Sequence, residues 1–131
     1  MSTIYRRRSF TVAAIAALAL LWWVARGAAA PNQVFVDRGI LNYDDKNNAA
    51  ALASFERAVE LDPEDPNARY FLGLTLIALD RFEEAVTQLS RGLALNKDDL
   101  DIAFVFGVAL FNLSRYDQAL PHFQAVAARE P

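Results

Sequence analysis

The side chains able to do chemistry in this chain are few, and their spacing suits none of the common reactions. There is one histidine, His122, and no cysteine among the 131 residues. Thiolate nucleophiles, disulfides and cysteine-ligated metals are therefore excluded. A zinc site needs three or four ligands, and nothing stands at ligand spacing from His122, which reads as an ordinary helix residue. Glu83 and Glu84 are paired carboxylates, but neighbours on a helix do not face each other. With no base or metal partner they read as a solvated face. The glycines are isolated and fall inside helix-like runs, so no phosphate-cradling loop is present. Asn112-Leu113-Ser114 has the form of a glycosylation sequon but falls at an expected helix end. The expectation is a chain without catalysis, cofactor, metal or small-molecule substrate.

The elements that carry these residues differ sharply in charge. All 16 acidic residues follow Pro31, whereas four of the 13 basic ones, Arg6, Arg7, Arg8 and Arg26, precede it. The first 31 residues thus carry +4, and residues 32–131, with nine basic against 16 acidic residues, carry −7. Such a split marks two segments with different tasks. The acidic segment is unsuited to nucleic acid, because phosphate neutralisation needs surplus Lys and Arg.

In residues 1–31, three arginines are followed by "SFTVAAIAALALLWWVA", 17 uncharged residues from Ser9 to Ala25. As a helix the run spans roughly 25 Å, against a hydrocarbon core of about 30 Å. The order of basic start, apolar middle and "ARGAAAP" is that of an export signal, yet the run exceeds the usual length of a cleaved one. Trp22 and Trp23 have the character of interfacial anchors. Two readings stand: a membrane anchor that is kept, or a signal removed after export. In both, Arg6, Arg7 and Arg8 stay cytoplasmic and the rest lies on the far side of the membrane, which in a bacterium is the periplasm. "RRSF" resembles a short part of a twin-arginine signal, and the absence of acids also leaves a mitochondrial address open.

Residues 32–131 repeat with a period of 34 and no gap. Gly39, Gly73 and Gly107 share a column, as do Ala51, Ala85 and Ala119, and Phe55, Leu89 and Phe123. "NNAAALASFERAVELDP", "RFEEAVTQLSRGLALNK" and "RYDQALPHFQAVAAREP" are three versions of one segment. Asp-Pro at 65 and 66 supplies a helix cap followed by a proline at the first helical position, and Asp99 can cap likewise. A glycine inside a helix costs about 1 kcal/mol relative to alanine. Three in one column are explained if a partner helix presses too closely for a Cβ.

On these residues the chain resembles the tetratricopeptide repeat (TPR) family, whose units are 34-residue helix–turn–helix pairs. The resemblance implies an all-α, right-handed solenoid of three units, near 32–65, 66–99 and 100–131, preceded by the N-terminal apolar helix. First helices are expected at Gln33–Asp45, Pro66–Leu79 and Leu100–Leu113, and second helices at Asn48–Leu61, Phe82–Leu95 and Tyr116–Arg129. RNA-reading helical repeats have a 35-residue period and basic surfaces, and the chain has neither. Unit one carries Arg38 and Asn42 where later units are apolar, as suits a terminal unit. Pro121 removes one backbone donor from the last helix and is expected to bend it slightly.

The resemblance also implies that positions two, five, nine, twelve and thirteen of each unit point into a concave groove. Position five reads Val36, Tyr70 and Phe104; position nine, Ile40, Leu74 and Val108; position twelve, Tyr43, Ile77 and Phe111. Position two reads Gln33, Asn67 and Asp101, and position thirteen Asp44, Ala78 and Asn112. TPR proteins that clamp the C-terminal carboxylate of chaperones place Lys, Arg and Asn at several of these positions. None of the nine residues at positions five, nine and twelve is charged, so the groove is expected to take an apolar or amphipathic segment instead. Tyr43, Tyr70, Phe104 and Phe111 are the candidate anchors. Two function classes follow. One is a membrane-tethered scaffold or adaptor that captures a protein segment. The other is a structural subunit that stacks end-on through the third unit, or the N-terminal part of a larger TPR protein.

Overall fold

The computed structural model describes residues 2–27 and 30–129, and side chains from residue 12 onward except 25 and 26. The side chains of Arg6, Arg7 and Arg8, expected as anchors, lie outside those described, as does Pro131. The chain divides into two compact units, Met1–Ala30 and Pro31–Pro131. Among the described residues there are seven helices and no strand.

The first unit is helix α1, Ser2–Gly27. Val12, Ile15, Leu18, Leu20, Leu21 and Val24 are exposed, as are Trp22 and Trp23, so no stripe of the helix is sequestered. Among the described residues no helix is long and apolar enough to cross a membrane. The uncharged run, at roughly 25 Å, falls short of a 30 Å hydrocarbon core.

The second unit consists of three helical pairs: α2 (Pro31–Asp44) with α3 (Asn48–Leu61), α4 (Pro66–Ala78) with α5 (Phe82–Leu95), and α6 (Leu100–Asn112) with α7 (Tyr116–Ala127). Helix α2 begins two residues before the expected Gln33, because Pro31 fits a first helical position without needing its missing N–H. Asp65 caps α4 by accepting from the Asn67 amide at 2.9 Å, and Asp99 caps α6 through the Ile102 amide at 3.0 Å. Helices α5 and α7 are preceded at the cap position by Arg81 and Arg115, neither of which makes a side-chain cap. Those arginines instead pair with Glu84 at 2.6 Å and Glu83 at 2.8 Å, so the two acids are solvated and each holds a cation. Helix α7 runs continuously through Pro121.

Each pair is closed by the same corner. Lys46, Asp80 and Ser114, 34 residues apart, have φ of 61°, 58° and 60°. The next amide folds back onto the first helix: Asn47 to the Asn42 carbonyl at 2.8 Å, Arg81 to Leu76 at 2.8 Å and Arg115 to Leu110 at 2.9 Å. This left-handed closure satisfies the last carbonyls of the helix. It ends α4 and α6 one residue before the expected Leu79 and Leu113.

Packing is also repeated from pair to pair. A Cβ added at Gly73 would stand 2.5 Å from Leu89 Cγ, one at Gly39 2.7 Å from Phe55 Cδ1, and one at Gly107 2.9 Å from Phe123 Cε1. Ala51, Ala85 and Ala119 are buried in the same column. The glycines thus let Phe55, Leu89 and Phe123 reach across their own pairs, and the first two side chains are fully buried. Among the described helices, α2 touches α4 and α4 touches α6, whereas the second helices touch only first helices. First helices therefore form the more closely spaced inner layer, which makes their free side the concave one.

Candidate inner cleft and end face

The inner cleft grows from residues two helices apart in sequence. Tyr70 on α4 and Phe104 on α6 occupy the same position of successive units, and the contact of α4 with α6 brings them together. They line a cleft of about 450 Å³ with Leu100, Asp101, Val105, Val126 and Arg129. Each aromatic ring is held at a fixed angle, Tyr70 edge-on to Phe71 at 5.2 Å and Phe104 edge-on to Phe123 at 5.8 Å. Phe104 remains 48% exposed, enough to be covered by a ligand. Of the other groove positions, Ile40, Tyr43, Leu74, Ile77 and Val108 are half-buried.

Val36 corrects the expected groove. It is fully buried in the core, so it offers nothing to a ligand. A valine reaches less far than the Tyr70 or Phe104 that share its register, and α4 lies alongside α2. Phe111 belongs elsewhere. It is 55% exposed and lines a second cleft, of about 350 Å³, with Tyr116, Asp117, Ala119, Leu120 and Phe123. Phe123 borders this end face with one side and meets Phe104 with another. The expected anchors are thus divided between an inner and an end surface.

Charge in the inner cleft is set by acids. Burial, then the carboxylates of Asp101 and Asp99 and the Tyr43 phenol, push the Tyr70 phenol above its ordinary value. Arg69, next in sequence to Tyr70, does not offset them, because it turns into the protein and is 6% exposed. Its Nε and Nη2 donate to the Pro63 carbonyl at 3.0 and 2.8 Å, and Nη1 donates to Gln88 Oε1 at 2.7 Å. Burial, and less strongly Arg91, lower its pKa. Arg69 closes the joint between the first two units, a role the sequence pattern hides, since its counterparts are Phe35 and Ala103. Arg129 and Val126 were also missed as cleft residues, because they come from a second helix and the stretch after it rather than from a first helix.

Among the described residues no group of three His, Asp or Glu side chains could hold a metal ion. His122 packs edge-on to Phe106 at 4.8 Å, and burial lowers its pKa.

Known proteins place this architecture. No curated protein sequence matches the chain. The Arabidopsis OM64 TPR domain superposes with a TM-score of 0.72 at 20% identity, over 76% of this chain and 83% of that one. The first TPR domain of Spaghetti (RPAP3), solved bound to the HSP90 peptide SRMEEVD, gives 0.75 at 19% identity, over 79% and 82%. MamA gives 0.73 at 22% identity, over 82% of this chain but 63% of its own. The family model described as anaphase-promoting complex, cyclosome, subunit 3 matches residues 44–126, well over half of the chain. With its 34-residue helical pairs, this chain belongs to that TPR-like repeat family.

Proposed function

We propose that the repeat domain is a non-enzymatic protein-interaction module, a scaffold or adaptor that holds an apolar partner segment in its concave inner cleft. The observation that carries this reading is the convergence of Tyr70 and Phe104, from different helices, on one cleft in which no cation from a first helix is free. Aromatic residues at partly desolvated positions dominate most interface energies. The Spaghetti domain, of the same fold, holds the HSP90 peptide SRMEEVD. The test is the double change Tyr70→Glu with Phe104→Glu in the full chain, followed by pull-down from crosslinked membranes. Unchanged helicity with lost capture is expected; capture identical to that of the wild type refutes the reading.

A second reading rests on the end face. Leu120 and Phe111 are 54% and 55% exposed. Their counterparts in the earlier units, Leu52 and Val86, and Tyr43 and Ile77, are half-buried. The end face therefore suits stacking on another helical unit, including a second copy. Light scattering that finds only monomer across a wide concentration range counts against self-stacking.

The basic-then-apolar order of α1 supports an export or anchoring segment that puts the repeat domain on the non-cytoplasmic side, the periplasm in a bacterium. Protease added to intact spheroplasts should then digest residues 32–131, and full protection would overturn that placement.

A further inference from the structure

The charge around the inner cleft says more about its occupant than apolarity alone. Helices α2, α4 and α6 carry two cations between them, Arg38 and Arg69. Arg69 is sealed against Pro63 and Gln88. Arg38 lies over the Phe35 ring, 5.7 Å from its centroid, in the first unit. The same helices present exposed carboxylates at Asp44 and Asp101, and Asp101 lies on the cleft wall. Arg129, from the stretch after α7, is the one cation lining that cleft among the described residues. The charges acting on the Tyr70 phenol are nonetheless those of Asp101 and Asp99. Residues 32–131 as a whole carry nine basic against 16 acidic groups, so the longer-range field has the same sign.

Resting on the interaction reading above, we propose that the segment taken by the cleft is cationic as well as apolar. An aliphatic or aromatic side chain seats between Tyr70 and Phe104, and a neighbouring Lys or Arg pairs with Asp101. An arginine there would also lie within reach of the aromatic face of Tyr70, which attracts a cation directly. An acidic segment would meet Asp101 instead, and the cleft would disfavour it.

Two synthetic peptides of equal length, with the same Leu and Phe spacing, test this by fluorescence anisotropy against the full chain in mild detergent. One carries Lys beside the apolar residues and the other Glu. A favourable exposed charge pair changes affinity by up to about fivefold, and reversing its sign roughly doubles the contrast in free energy, so a gap of up to about 25-fold in favour of the Lys peptide is expected. Added salt should narrow the gap, and Asp101→Asn should close most of it while Phe104→Glu removes apolar seating for both peptides. Equal binding of the two peptides, lost in Phe104→Glu, overturns the charge inference and leaves the cleft reading standing. A Lys preference that survives Asp101→Asn also overturns it, since the pairing would then lie elsewhere. Binding of neither peptide overturns both.

Discussion

Four buried or crowded glycines provide a graded test of the packing, because alanine at each would meet a different neighbour. At Gly92 a new Cβ would rest 3.4 Å from Arg69 Cβ and 3.5 Å from Ile102 Cδ1, ordinary contact distances. Alanine gains about 1 kcal/mol over glycine inside a helix, so Gly92→Ala should stabilise the domain by up to about 1 kcal/mol. At Gly73 the Cβ would stand 2.5 Å from the Leu89 branch point, and Leu89, fully buried, has nowhere to move. Overpacking of this kind costs about 1–3 kcal/mol or more. After the same helix gain of about 1 kcal/mol, Gly73→Ala should destabilise by up to about 2 kcal/mol or more. Gly39→Ala should behave alike, because Phe55 is fully buried and stacked on Phe71 at 5.5 Å. Gly107→Ala should fall between, since the Phe123 ring is only half-buried and can turn. Both tryptophans lie in α1, so fluorescence would miss the repeats and urea unfolding must be followed by circular dichroism. Midpoints compared at unchanged slope give the order. A Gly92→Ala variant as destabilised as Gly73→Ala would refute the close-approach argument.

Three further outcomes follow from individual contacts. Arg69→Leu leaves the Pro63 carbonyl without its donors and should lose about 1–3 kcal/mol in the same assay, whereas Arg91→Leu, exposed, should change little. Asp65→Ala removes the cap of α4 and the 2.9 Å bond from Asn32, so it should cost more than Asp99→Ala, which removes a cap and a longer 3.3 Å bond from Asn96; each cap alone is worth about 1 kcal/mol. Because burial lowers the His122 pKa, the unfolded chain takes a proton first as pH falls. Stability should therefore drop as pH falls from the ordinary value of 6.5 toward the lower folded one, and thermal melts of His122→Phe should lack that drop.

The helices of the repeat domain were legible because their punctuation is chemical. Asp65 and Asp99 are caps in the sequence and caps in the fold, and α3 and α5 have the bounds that the family register implies. Tyr70, Phe104 and Asp101, which line one cleft, stand at positions that the family resemblance assigns to the groove-facing side of the first helices. Exposure was not legible. Register gives a direction from the helix axis, but depth depends on side-chain length and on what covers it, which separates buried Val36 from half-open Phe104. Arg69 was unreadable for a related reason. Its position is apolar in the other units, and its partners, a backbone carbonyl six residues back and a glutamine 19 residues on, leave no pattern in sequence.

The three pair-closing corners carry a consequence of their own. Lys, Asp and Ser hold a left-handed backbone that only glycine adopts freely, and each does so at a cost of about 1 kcal/mol. None of the three corners bears on the seating of Tyr70 or Phe104. The domain therefore keeps an unused reserve of heat resistance at its bends, open to glycine exchange at Lys46 and Asp80 without retouching either cleft.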